Sequence, residues 1–263
     1  MTSYLLARDN LRRHENHGTH DTKQVWALKP DHPAVIEGRT IFTSTVVNAD
    51  DAPRLFVQGR NNRKIGDQVQ KGDWAGMRIY TLTLEERATC PRSCEQWRSC
   101  YGNAMHMARR HRAGPELEAR IEKDIAALAL KHPEGFVVRL HVLGDFYSHR
   151  YAFMWLSLLR NHSQLHIFGY TARVGDEIAA TIARMNKHYS SRCFIRTSTP
   201  VPAPGSATVV MSDQRVDGAI ICPAELSQTQ CCSTCGLCWA PSAKDKAILF
   251  ILHGNVRSRK PRA

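Results

Sequence analysis

The stretch "FVVRLHVLGDFYSHRYAFMWLSLLRNHSQLHIFGYTAR" (residues 136–173) decides the fold. It opens on an apolar run rich in β-branched residues, Phe136 to Gly144, the kind of run a strand buried on both faces requires. Residues 147–162 then place Trp155, Leu158 and Leu159 at helical spacing. A second apolar run, "QLHIFGYTAR" (164–173), follows. Strand, helix and strand in so short a span make a β-α-β unit, whose two strands run parallel.

The same alternation continues outward in both directions. "MRIYTLTL" (77–84) and "SRCFIRTS" (191–198) read as strands. "PELEARIEKDIAALALKHPEG" (115–135) and "GDEIAATIARMNKHY" (175–189) read as helices, the first with acidic residues early. Short strands also fit "SATVVMS", "DGAIIC" and "KAILFILHG". The expected architecture is α/β, a full or partial TIM-like (β/α) barrel of parallel strands over residues 77–255. An irregular extension (1–76) precedes it, with a strand or two in "AVIEGRTIFTSTVV" (34–47), and a basic tail (256–263) follows. A doubly wound open sheet is the alternative. In either fold, functional residues gather past the carboxyl ends of the strands. Those positions carry the Cys90 loop, Gly144-Asp145, Tyr170 to Arg173, Thr197 to Thr199, Cys222-Pro223 and His253 to Asn255.

The chain has 263 residues, 43% hydrophobic and 23% charged, enough to bury a sizeable core. It holds no run of 18 apolar residues, so no membrane span is expected. Its start, "MTSYLLARDNLRRHENHG", lacks the layout of a secretory signal. The net charge is +12, with positives grouped in "HMARRHR" (106–112) and "RSRKPRA" (257–263). Such a balance favours an anionic partner, a nucleic acid or nucleotide; a solvated basic surface is the plainer reading. Nine cysteines without an export signal point to reduced thiols in a cytoplasm.

Eight of those nine fall in two short clusters, a crowding that metal or cluster ligation needs and disulfides do not. Cys90, Cys94 and Cys100 form the first. Three thiolates hold three irons of a [4Fe–4S] cube and leave the fourth open; zinc with His106 or His111 competes. In the second cluster, Cys232, Cys235 and Cys238 are spaced C-x2-C-x2-C, with Cys222 as fourth ligand. A second [4Fe–4S] cluster is expected there, zinc being the alternative. Between neighbours, the spacing selects Cys232 over Cys231. Cys193, inside a strand, reads as a buried thiol.

A strand, a three-cysteine loop ending in Cys100-Tyr101, a helix and a second strand ending in Gly144-Asp145 resemble a radical S-adenosylmethionine (SAM) enzyme. That family's loop is C-x3-C-x2-C; here it is C-x3-C-x5-C. The runs "CPRSCEQWRSCYGN", "RLHVLGDFYSHRYAFMWLSLL", "CGLCW" and "FILHG" further resemble a phage-borne family of the gene-product-88 type. The resemblance covers roughly residues 77–255. It implies an iron–sulfur, radical-SAM-like enzyme in which Gly144 and Asp145 hold the amino group of SAM. A reduced cluster would then generate a 5′-deoxyadenosyl radical, with a flavodoxin or ferredoxin as electron donor and the host cytoplasm as setting.

Other residues complete the expected rim. Asp145 could hold an amino group, bind a metal or cap the following helix. Tyr170 and Arg173 could contact an anionic substrate, and Arg196 with Ser198 a carboxylate or phosphate. Trp97 could shield the cluster or stack on a base. The opposing expectation is a non-catalytic protein, stapled by zinc or iron–sulfur centres, that binds nucleic acid.

Overall fold

In the computed structural model, which describes residues 27–210 and 215–251, eight strands form one sheet and two short strands a separate pair. The main sheet contains β2 (Val57–Gln58), β3 (Arg78–Thr81), β5 (Phe136–Leu140), β6 (Leu165–Thr171), β7 (Cys193–Ser198), β8 (Ser206–Val210), β9 (Ile220–Ile221) and β10 (Ile248–Ile251). Their order is β2-β3-β5-β6-β7-β8-β10-β9. Every pairing in it is parallel except that of β2 with β3. The pair is β1 (Val46–Val47) with β4 (Arg110–His111), also parallel.

Strands β3, β5, β6, β7 and β8 lie side by side in chain order, with no reversal. A doubly wound sheet reverses its order near the middle, and the described strands leave chain order only at β10-β9. Chain order also explains why one face carries all the long helices. α2 (Pro115–Lys131), α3 (His149–Asn161) and α4 (Glu177–His188) all contribute to one core with Phe136, Val138, Leu140, Leu165, Ile167 and Ile195. The full barrel is not reached among the described residues. β2 and β9 remain edges, and no described pairing joins them.

Local sequence sets each helix boundary. Ser148 caps α3, its Oγ accepting from the Tyr151 amide at 3.1 Å. Asp176 caps α4 through the Ala179 amide at 2.7 Å, with Glu177 in the first turn and Lys187 in the last, matching the helix dipole. Asp145 is therefore not a helix cap. α3 buries Tyr151, Trp155, Leu158 and Leu159 on one stripe, and each such side chain withdrawn from water contributes about 1.5–3 kcal/mol.

The opposite face of the sheet carries the alternate residues. Ile79, Val137, Phe168 and Phe194 pack there with Ile65, Val69, Trp74 and Trp239. The Trp74 and Trp239 rings stack with centroids 5.5 Å apart. Ala49 to Trp74 thus contribute to the cores on the two faces of the sheet, while Leu28, Ala34 and Val35 form a small cluster of their own against Trp97. The run 34–47 differs from its β-branched reading: Pro33–Glu37 is a short helix, α1, and only Val46–Val47 is strand. Pro33 opens α1, the His32 ring accepts from the Ala34 amide, and Gly38 ends it with φ +75°. The basic tail, His253 and Asn255 lie outside the described residues.

Candidate functional site

The first cysteine loop leaves the carboxyl end of β3 and is held by two buried arginines that sequence reasoning missed. Arg87 donates to the Trp97 carbonyl at 2.9 Å and to the Asn103 side chain. Arg110, fully buried, pairs with Glu86 at 2.6 Å. Its other donors reach the carbonyls of Gly102 (3.0 Å), Met105 (3.1 Å) and Ala108 (2.7 Å), the chain just past Cys100. The "HMARRHR" run is therefore only partly a basic surface: Arg110 and His111 face inward. Trp97 packs against the α1 region with its indole N–H on the Val35 carbonyl at 3.2 Å, a structural anchor for the loop.

Within this loop Cys90, Cys94 and Cys100 are electrostatic neighbours of one another, and Asp145 is a neighbour of Cys90 and Cys94. Burial pushes all three thiols up, Cys100 to about 12. They are neutral thiols at pH 7, so binding a metal there must release protons. The Gly102 amide donates to the Cys100 sulfur at 3.4 Å. Such N–H···S contacts stabilise a thiolate once it forms.

Gly144 and Asp145 sit directly against the loop. Gly144 has φ +87°, and a Cβ there would lie 2.5 Å from the Thr89 hydroxyl and 2.7 Å from Leu84 Cβ. Only glycine lets the end of β5 approach the residue preceding Cys90 this closely. Asp145 accepts from the Phe146 amide and the Thr171 hydroxyl through Oδ1, and from the Ala172 amide through Oδ2, each at 2.7 Å. Its own amide donates to Thr89 at 3.2 Å. Burial nevertheless raises its carboxyl to about 6 against these donors. The group clamps β5, β6 and the cysteine loop together. Arg173 completes the clamp, donating to the carbonyls of Phe146 (2.8 Å) and Thr89 (3.3 Å).

The second cysteine set follows β9. Cys222, Cys232, Cys235 and Cys238 line a single hollow with Pro223, Leu237, Trp239 and Ile248. Cys232–Cys235 is a one-turn helix, α5, ended by Gly236 with φ +70°. Cys231 does not line the hollow; its sulfur contacts the Ser233 hydroxyl at 3.1 Å. Cys193 is buried near the start of β7 against the Asn186 side chain, at the opposite end of the strands from the Cys90 loop. Burial pushes Cys222 up to about 12 and raises Cys232 and Cys238.

Two further expected rim residues serve this second set. The Tyr170 hydroxyl lies 3.0 Å from Cys238 Sγ. Arg196, buried in β7, uses its three nitrogens on the carbonyls of Cys238 (3.3 Å), Lys246 (2.8 Å) and Ala243 (2.8 Å). It braces the cysteine loop rather than presenting a fork to a carboxylate or phosphate. Ser198 is exposed at the end of β7. A strap from the N-terminal segment ties the set down: the Cys232 and Ser233 amides donate to the Lys64 and Ile65 carbonyls, each at 2.8 Å. Among the described residues no three His, Cys, Asp or Glu side chains stand close enough together to ligate a single metal ion.

Arg139, also missed from sequence, stands close to the second set. Its guanidinium lies over the Tyr170 ring at 4.7 Å and the Phe168 ring at 5.6 Å. It is an electrostatic neighbour of Tyr101, Cys232 and Cys238.

Both cysteine sets and the clamp fall inside residues 54–241, which match the family model described as Gene product 88. The chain belongs to the gene product 88 family. Comparison with curated proteins and with solved structures finds no match. The family match includes Glu86, Arg87, Arg110 and Arg139, whereas the Val35 anchor of Trp97 and the Ala243 and Lys246 carbonyls held by Arg196 lie outside it. No helix among the described residues is long and apolar enough to cross a membrane.

Proposed function

We propose that this chain is an iron–sulfur enzyme of phage type, built on a partial (β/α) barrel. In this reading Cys90, Cys94 and Cys100 hold one [4Fe–4S] cluster, and Cys222, Cys232, Cys235 and Cys238 a second. The observation that carries the proposal is the second set: Cys222, Cys232, Cys235 and Cys238 line one hollow whose wall is completed by Pro223, Leu237, Trp239 and Ile248, a soft-donor, apolar lining that suits an iron–sulfur cluster. Four thiolates also suit zinc, and metal analysis separates the two.

Three protein thiols at the first site, on a cluster with four irons, leave one iron for an exogenous ligand, which supplies electron transfer to a bound substrate or cofactor. The protein's part is positioning. Asp145, Arg173 and Gly144 hold the Cys90 loop against β5 and β6. Glu86, Arg87 and Arg110 hold it from beneath. The radical-SAM reading rests on the sequence resemblance. Asp145 Oδ1 already accepts two hydrogen bonds, so Oδ2 is the atom with capacity for the amino group of SAM. The net charge of +12 supports a nucleic acid or nucleotide as the substrate class.

The test is anaerobic reconstitution followed by iron and sulfide analysis. About eight of each per chain, with a brown colour, is expected for two cubes. Colourless protein holding stoichiometric zinc would overturn both assignments. Reduced protein incubated with SAM should release 5′-deoxyadenosine; intact clusters without that product would remove the radical chemistry alone.

A further inference from the structure

Arg139 interrupts the apolar strand "FVVRL" and puts a permanent cation on the face of the sheet that carries Phe168, where its neighbour two residues back, Val137, is fully buried. An arginine in such a place ordinarily has an acidic partner. Here no described salt bridge includes it. Its described hydrogen bonds run from Nη1 to the carbonyls of Leu140 and His141, the latter at 3.2 Å. Those two bonds, and the aromatic faces of Tyr170 and Phe168, fix the plane of the guanidinium. Nε and Nη2 donate to no described group and remain partly open to water. The electrostatic neighbours of Arg139 are the Tyr101 phenol, which is 57% exposed and adjacent in sequence to Cys100, and Tyr170, Cys232 and Cys238.

A planar fork that is held rigid, stacked on a ring and short of an acidic partner is prepared for a bidentate oxyanion. We propose that Arg139 is the seat for the anionic group of a small ligand, a carboxylate or phosphate, held beside the second cysteine set with Tyr101 as a neighbour. The seat deepens the enzyme reading and rests on it for the word substrate, not for the binding itself. It places the ligand's charged end on the face of the sheet that carries Phe168 and Tyr170. Arg196, by contrast, has each of its three nitrogens on a backbone carbonyl and presents no open fork.

The experiment titrates inorganic phosphate and, separately, acetate into the full chain at fixed chloride, as purified and after reconstitution, following binding by calorimetry. Saturable binding of at least one anion is expected, weakened at least about tenfold (about 1.4 kcal/mol) in Arg139→Gln. Arg139→Lys keeps the charge, loses the fork, and should fall between the two. The difference between proteins is what counts, because a chain of net charge +12 binds anions weakly at many places. Equal affinities in wild type and Arg139→Gln, or no anion bound by wild type, would overturn the seat. If Arg139→Gln does not fold, an Arg139→Lys chain with wild-type affinity for both anions overturns it instead. Iron and sulfide are measured on the same samples. Anion binding without iron leaves the seat and removes the clusters; iron without anion binding does the reverse. Loss of iron in Arg139→Gln, where wild type binds neither anion, assigns the guanidinium to the cysteine thiolates as their counter-ion and overturns the seat.

Discussion

Replacing Glu86 by Gln should release the first cysteine loop. Glu86 and Arg110 are an ion pair with side chains 1% and 0% exposed. Glu86 Oε2 accepts from Arg110 Nε at 2.6 Å, and Oε1 accepts from Nη2 at 3.2 Å and from the Thr40 hydroxyl at 2.7 Å. Glutamine keeps the shape but turns an N–H2 toward one of the guanidinium donors. It also leaves the Arg110 charge buried without its counter-ion. Breaking a buried pair from one side costs about 3–5 kcal/mol. For a domain of this size that lowers Tm by about 6–20 °C. Since Arg110 holds the carbonyls of Gly102, Met105 and Ala108, the loss should fall on the Cys100 side first. Thermal melting of the metal-free chain reads the stability, and iron analysis after reconstitution reads the loop. About half the iron should be retained, that of the second set. Replacing both partners, Glu86→Leu with Arg110→Met, leaves no charge buried but takes the donor from the carbonyls of Gly102, Met105 and Ala108, so it should recover only part of the stability and none of the loop's iron. A Glu86→Gln chain that melts with wild type and keeps its full iron would refute the account of the brace.

Three other outcomes follow from the geometry. Gly144→Ala forces a β-carbon to within 2.5 Å of Thr89 at φ +87°, so it should destabilise the fold by more than about 1–2 kcal/mol and lower iron content; an unchanged melt and iron content would contradict the close packing. His141 and His111 are buried, and burial lowers their titration to about 3 and about 4. The unfolded chain takes up these protons near pH 6.5, so their stability contribution is complete above that pH and declines as pH falls toward 4. At pH 5 each should cost about 2 kcal/mol, and Asp145, raised to about 6, opposes them by a smaller amount because its contribution is lost as pH rises through 6. Melting at pH 7 and pH 5 should show this loss, reduced in His141→Asn; a flat profile would contradict it. Tyr170→Phe removes the hydroxyl 3.0 Å from Cys238, and should change the spectrum of the second cluster while leaving total iron near wild type. An identical spectrum would show that the contact is without effect on that site.

Much of the fold was legible because its strands and helices differ in period. The runs around Phe136, Leu165 and Cys193 are too apolar for a half-exposed strand, and Trp155, Leu158 and Leu159 repeat as a helix does. Whether the sheet closes was not legible, since closure depends on pairing between distant edges that no local pattern encodes. The segment 34–47 misled for a related reason: its β-branched residues favour strand, but Pro33 and Gly38 bracket a helix inside it. At the site, cysteine spacing separated Cys232 from Cys231, and the structure puts only the former on the hollow. Arg87, Arg110 and Arg139 were invisible as braces or seats, because an arginine in sequence reads as surface until its surroundings are known. One signal was available. "FVVRL" is a strand buried on both faces with a single cation in it, and such a residue needs a reason.

The strap from Lys64 and Ile65 to Cys232 and Ser233 joins points some 168 residues apart. During synthesis its early half must wait, unpaired, until residues 232 and 233 have emerged from the ribosome. The four-thiol hollow therefore takes its final shape well after the strand and helix units before it, and a product that stops short of Cys232 would never acquire the complete pocket wall.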